Sequence, residues 1–353
     1  EEGATVRVLG SNGTTFLFTE GQSGFYFSNE PFALQMGVDY TLEITTSGGT
    51  DYASDPIAVQ GDSDVTNVYA ERTTSNSGVD GIAIYVDSQP INGSSEFLRY
   101  TYEETYEIVT PFWAPTEFVL TDYDPCALPV PTYNLQVVPR QTENQFCYNT
   151  VSSNTIEQLS MVGNPNGKVS KHMVRFIGKD NFMISSRYSI LVQQQVQSAD
   201  AFSFYEVLKS FSTSDSPFSQ VQPGAIYANM HRSDGSDENV LGYVEAVGVD
   251  EQRLFFNYED FFPGEDLPPY PFECNLQSTP ESHTSYCASD PEGNPCPLSV
   301  IEGINSGLIS YFSAYNASLV PNASCPGPYV FVQRICGDCT LLGSNVKPDF
   351  WEE

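Results

Sequence analysis

Short bursts in which apolar and polar residues alternate, separated by turns containing Gly and Asn, fill the first 60 residues. A period of two places every second side chain on one face of an extended strand, so the pattern commits this region to half-buried β-strands. Thr5-Val6-Arg7-Val8 reads as one strand, Asn12-Gly13 as a turn and Thr15-Phe16-Leu17-Phe18 as the returning strand. Phe25-Tyr26-Phe27 and Tyr40-Thr41-Leu42-Glu43-Ile44 follow, the latter closed by Gly48-Gly49. Strands at this spacing predict a small Ig-like β-sandwich over residues 1–61, with Asp55-Pro56 and Gly61-Asp62-Ser63-Asp64 as its exit linker. The chain opens at Glu1 in what reads as mid-domain, so this sandwich is expected to lack its first strand.

Residues 62–353 read as a larger β domain with a minor helical part and a disulfide-rich C-terminal region. Strand candidates lie at 82–87, 96–103, 188–196, 224–230, 240–247 and 253–257. In residues 100–107 one side is aromatic and the other acidic or hydroxylic, and the alternation slips at the doubled Glu103-Glu104, which predicts a bulge. The period changes after Val196. Ser198 can cap a helix, Asp200 suits its first turn, and Phe204, Leu208 and Phe211 recur at helical spacing beside Ala201, Tyr205 and Val207. These residues predict an amphipathic helix over 199–211, its aromatics packed against a sheet. Ile301, Ile304, Leu308 and Tyr311 predict a weaker helix over about 299–314, interrupted by Gly303 and Gly307. Residues 259–298, rich in Pro, Asp, Glu, Ser and Cys, read as a long stapled loop.

The chain has eight cysteines, none in its first third. Cys126 and Cys147 stand apart and bracket a turn between strands, which predicts that they pair. Cys274, Cys287, Cys296, Cys325, Cys336 and Cys339 are expected to form further structural disulfides of a secreted, loop-rich segment, and spacing does not select their connectivity. Cys336-Gly337-Asp338-Cys339 has C-x-x-C spacing, but a zinc site wants a second such pair or two nearby histidines. The three histidines, His172, His231 and His283, are far apart in sequence.

Charge narrows the function further. The 45 Asp and Glu against 14 Lys and Arg give a net charge of −31. Such a field repels nucleic-acid phosphates and attracts cationic peptides or divalent ions, although an acidic surface also serves solubility alone. No nucleophile elbow, zinc-protease, P-loop or dinucleotide fingerprint occurs, so the expectation is a protein that is not an enzyme and holds no cofactor. Asp234, Asp237 and Asn239 gather hard oxygens in one turn as weak Ca²⁺ candidates, without the spacing of an EF-hand. The 21 Tyr and 23 Phe suit either a β core or a sugar- or protein-binding surface. No apolar run is long enough to span a bilayer.

The tail Cys336-Gly337-Asp338-Cys339, with Gly343, Asn345, Lys347-Pro348 and Phe350-Trp351, resembles the ending of a family of Bacteroidota outer-membrane lipoproteins, domain of unknown function 4249. Residues 3–8, 40–44, 102–107, Pro111-Phe112-Trp113, Cys147-Tyr148 and 188–193 are similar to other parts of the same family. The resemblance implies an exported protein, lipid-anchored on the outer membrane, whose relatives are often encoded beside SusC-like TonB-dependent transporters. It implies a partner, an outer-membrane β-barrel protein, and a role in nutrient capture or gating. It supplies no catalytic residue, and the anchoring cysteine is expected outside this sequence. The other expectation, drawn from the aromatics and the charge, is a stand-alone surface module for glycans or cationic peptides. Trp351 is expected to pack and the cysteines around it to staple the domain closed.

Overall fold

The alternating bursts become strands in the computed structural model, which describes residues 1–353 other than 94, 165, 214–227, 237, 239, 241, 283–297, 324 and 353. The first five strands are β1 (Thr5–Gly10), β2 (Thr15–Glu20), β3 (Tyr26–Ser28), β4 (Tyr40–Thr45) and β5 (Asp51–Ser54). All pair antiparallel in the order β5-β4-β1-β2-β3. The register places Val6 opposite Phe18 and Ile44, and Val8 opposite Phe16 and Leu42, so the apolar partners share one face. Phe32 covers part of that face by stacking on Phe16, with ring centroids 3.9 Å apart. Leu17 and Phe27 are exposed.

The chain continues as β6 (Gly61–Thr74), β7 (Asp80–Gly93), β8 (Phe97–Val109), β9 (Thr116–Asp124), β10 (Thr132–Pro139), β11 (Phe146–Ser152), β12 (Glu157–Ser160), β13 (Val169–Gly178) and β14 (Arg187–Val196). Helix α1 (Ala199–Thr213) follows, then β15 (Met230–Arg232) and β16 (Gly248–Asn257). One sheet runs β13-β7-β6, and a larger one runs β11-β8-β14-β16 with β12 also on β8. The core holds Ile82, Ile84 and Val86 of β7 with Leu98 and Tyr100 of β8, Tyr188, Ile190 and Val192 of β14, and Phe256 of β16. Each buried aliphatic side chain here stabilises by roughly 1.5–3 kcal/mol relative to exposure, which makes this the main source of stability. At its start β16 crosses the start of β6 so closely that a Cβ on Gly248 would lie 2.3 Å from the Gly61 carbonyl oxygen. Only glycine permits that approach.

The structure is mostly β, as the period-two pattern predicts, and α1 covers the predicted helix. Four local differences have physical causes. Strand β8 runs without a bulge, because its pairing to β14 keeps step through Glu103 and Glu104. Glu104 continues the inward parity of Leu98, Tyr100 and Tyr102 and is a carboxylate inside the core, 3% exposed. The N-terminal sheet takes its sixth strand from far along the chain, since β15 pairs with β5. The predicted strand at 240–247 does not form a ladder in its described residues. There the side chain of Asn229 accepts from the Val244 N–H at 2.8 Å and donates to the Val244 carbonyl at 2.7 Å, taking the groups a neighbouring strand would use. Of the strand expected at 224–230, residues 224–227 lie outside the described residues.

The fourth difference is the helix expected at 299–314. Only α2 (Val300–Asn305) forms, capped by Ser299 and Glu302. Gly307 turns the chain with φ +65°, and β17 (Ile309–Ala314) pairs with β18 (Tyr329–Gln333) before the short α3 (Arg334–Gly337).

The expected Cys126–Cys147 disulfide is corrected. Cys147 bonds Cys339, Cys274 bonds Cys336, and Cys126 is a free, exposed thiol. The reason is topological. Cys147 lies on β11 and faces inward beside Ile108, where the tail arrives, whereas Cys126 sits at the outer turn of the β9–β10 ribbon. Cys325 is also disulfide-bonded, and Cys287 and Cys296 lie outside the described residues. The C-x-x-C cysteines thus staple two different places. Tyr148 and Ser344 exchange backbone hydrogen bonds, and Trp351 packs edge-on against Tyr148 and Phe255, so the tail closes the large sheet. Among the described residues no helix is long and apolar enough to cross a membrane.

Candidate functional site

A cleft of about 430 Å³ opens where the linker after β5, the first turns of α1 and residues 243–246 meet. Asp200, Ser203, Phe204 and Val207 reach it from α1. Their spacing is that of one helix face. The helix is fixed at its start by Ser198, whose hydroxyl accepts the Ala201 N–H at 3.1 Å. Ala201 is fully buried and Phe202 packs on Phe97, so the opposite side of α1 is held by the sheet and the Phe204 side is left to the cleft.

The facing wall is as firmly held. Asn229 clamps Val244 through the paired hydrogen bonds described above. The Tyr243 ring lies 4.7 Å from Phe204, and burial pushes its phenol above the ordinary range. Glu245 meets the Arg99 guanidinium at 2.5 Å and accepts from Gln197 at 2.9 Å. Arg99 is itself held by Gln195 at 2.8 Å and lies over the Tyr205 ring at 4.2 Å. Glu245 is therefore charge-paired and held by two side chains. Asp55, by contrast, is exposed at the rim, 3.5 Å from His231. The cleft offers an aromatic pair, aliphatic walls and carboxylates. Its serine hydroxyls serve the helix, Ser203 donating to the Ala199 carbonyl at 2.9 Å and Ser198 accepting the Ala201 N–H.

The residues singled out from sequence are scattered. Asp234 pairs with Arg232 at 2.9 Å and accepts the Ser236 N–H, while Asp237 and Asn239 lie outside the described residues. Among the described residues no group of three or more His, Cys, Asp or Glu could hold a metal. His172 packs at a tilt against Tyr100 and lies 3.3 Å from Glu157, and His283 is outside the described residues. Sequence reasoning placed α1 but missed that Phe204 and Val207 face a cavity. The one available hint was the breadth of the apolar face, wider than a single sheet contact covers.

The family model of a domain of unknown function, DUF4249, matches residues 1–253. The chain belongs to this family. The match includes the N-terminal sheet, α1 and every lining residue of the cleft, and ends before the cysteine-rich tail. No curated protein and no solved structure matches this DUF4249 chain.

Proposed function

We propose that this DUF4249 protein is a surface-exposed outer-membrane lipoprotein, a non-enzymatic accessory subunit of an outer-membrane β-barrel complex of the SusC-like, TonB-dependent type, acting in nutrient capture or gating. The resemblance of the tail and the family membership support it, and disulfide staples fit an extracytoplasmic location. The observation that carries the partner role is the tip of the β9–β10 ribbon. Residues 126–131, Cys-Ala-Leu-Pro-Val-Pro, hold Leu128 92% exposed beside exposed Val130. Phe118 anchors the ribbon edge-on between Tyr311 and Tyr329, so the tip is presented from a fixed base. On a chain of charge −31, an apolar projection suits a protein contact better than bulk solvent.

The test is purification of the tagged, full-length protein from native membranes. The expected result is co-purification of a β-barrel protein with an interface near the standard ~1,600 Å². Replacing residues 126–131 by a Gly/Ser loop should release the barrel without lowering the unfolding midpoint. Recovery of the unaltered protein as a lone monomer would count against the reading. A second reading, a surface module that binds glycans or cationic peptides by itself, is favoured by the cleft.

A further inference from the structure

We propose that the cleft between the β5–β6 linker, α1 and residues 243–246 takes a primary-amine cation on an apolar stem, such as a lysine side chain of a peptide. The proposal rests on the second reading above and is independent of the first. The volume, about 430 Å³, lies within the range of small-ligand sites, and a junction of chain segments is where such sites recur. Its walls are ordered by contacts a ligand need not make: Asn229 on Val244, Arg99 on Glu245 and Ser198 on α1. A preformed site spends little binding energy on ordering itself.

The class of ligand follows from the surface it must match. Phe204 and Tyr243, packed on each other at 4.7 Å, both line the cleft, and Val207 and Ile57 add aliphatic walls. An apolar stem is buried there. Of the three lining carboxylates, Glu245 is charge-paired with Arg99, which leaves Asp55 and Asp200 to set the charge. No lysine or arginine is among the described lining residues. The α1 N-terminus would favour an anion, but Asp200 in its first turn already answers that dipole. An anionic ligand would meet these carboxylates and the field of the whole chain, at −31. A neutral sugar could stack on the rings yet would gain nothing from the charge. An ammonium gains from both carboxylates and aromatic rings.

The experiment titrates the full chain, by calorimetry at low and high salt, with three probes. They are Nα-acetyl-lysine methylamide, its uncharged counterpart Nα-acetyl-norleucine methylamide, and the neutral trisaccharide maltotriose. The expected result is binding of the lysine probe, weakened by salt, with the norleucine probe weaker by about tenfold or more. The double variant Asp55→Asn/Asp200→Asn should lose a similar factor. Asp122→Asn/Asp124→Asn, which removes the same charge from the β9–β10 ribbon, should not. Phe204→Ala should weaken both amide probes, with circular dichroism confirming an unchanged fold. Equal affinity for lysine and norleucine probes, maltotriose binding without lysine binding, or indifference to the Asp55/Asp200 change would overturn the proposal. Failure of every probe with a barrel still co-purifying would sink the cleft assignment and leave the accessory role standing. Lysine binding without a barrel would do the reverse.

Discussion

Glu104 shows what a single residue can hide in a period-two pattern. Read along the sequence, Glu103-Glu104 looks like a break in alternation, because polarity is taken as the mark of an outward position. The structure keeps the alternation and buries the charge. Arg175 donates to Glu104 at 2.9 Å and the Tyr188 phenol donates to the same oxygen at 2.5 Å, joining the two facing sheets. Burial, then the neighbouring carboxylate, pushes the Tyr188 phenol well above its ordinary range, so it remains a donor. Burial opposes the charge of Arg175, but the hydrogen bond and charge of Glu104 more than compensate and raise it. Glu104→Gln should therefore destabilise by ~2 kcal/mol, less than a wholly buried pair because Arg175 keeps some solvent contact. The triple change Glu104→Leu/Arg175→Met/Tyr188→Phe, which removes all three polar groups together, should cost less than the single one. Urea unfolding midpoints decide it, and a triple variant weaker than Glu104→Gln would show that the network does more than satisfy itself. The free thiol of Cys126 teaches a similar lesson about distance: proximity in sequence to Cys147 says nothing of where a returning tail will lie.

At the scale of elements, legibility follows how local the determining interactions are. Strands β1, β2, β4 and β14 and helix α1 could be read because their periodicity and caps lie within their own residues. The run 240–247 has good strand composition, yet the backbone N–H and carbonyl of Val244 within it are taken by the side chain of Asn229. Ile301, Ile304, Leu308 and Tyr311 have helical spacing, yet Gly307 and the partner strand β18 turn residues 309–314 into a strand. The cleft could not be read at all, since its three walls come from stretches far apart in the chain and its position depends on how the N-terminal sheet, widened by β15, sits beside α1. The crossing of β6 and β16 also fixes that placement. Gly248→Ala would drive a methyl group against the Gly61 carbonyl, with Asp62 Oδ1 only 2.5 Å from the new carbon. The expected cost is ~1–3 kcal/mol of stability, read from thermal unfolding. Because Glu245 and Ala246 precede this crossing, lysine-probe affinity should fall in the same variant. A stability like that of the unaltered chain would mean that the two strands can separate freely, and the cleft would then lack a fixed wall.

For the whole molecule the deciding quantity is the imbalance of charge, −31 with a pI near 4.1. Two electrostatic effects oppose each other as salt is added. Many of the cations sit in contact with carboxylates, as Arg72 does with Asp80 and Glu265, and Arg7 with Glu43. Exposed contacts of this kind contribute little each. Salt screens these pairs as well, but their charges lie so close together that part of the attraction survives. The excess carboxylates repel one another over longer distances. That repulsion is felt across most of the molecule at a Debye length of ~30 Å in 0.01 M salt, and is cut off within ~8 Å at 0.15 M. Screening should remove more repulsion than attraction. The unfolding temperature is therefore expected to rise steadily from 10 to 500 mM NaCl, in differential scanning calorimetry at pH 7. CaCl₂ at matched ionic strength should give the same curve if the carboxylates act only as a diffuse field. A further increment that saturates at low Ca²⁺ would instead mark a specific cation site. A fall of the unfolding temperature with NaCl would mean that local ion pairs, not the surplus charge, govern stability. The affinity of the cleft for a cation should move the other way, weakening as the same salt stabilises the fold, and that opposition separates the field of the molecule from the chemistry of its site.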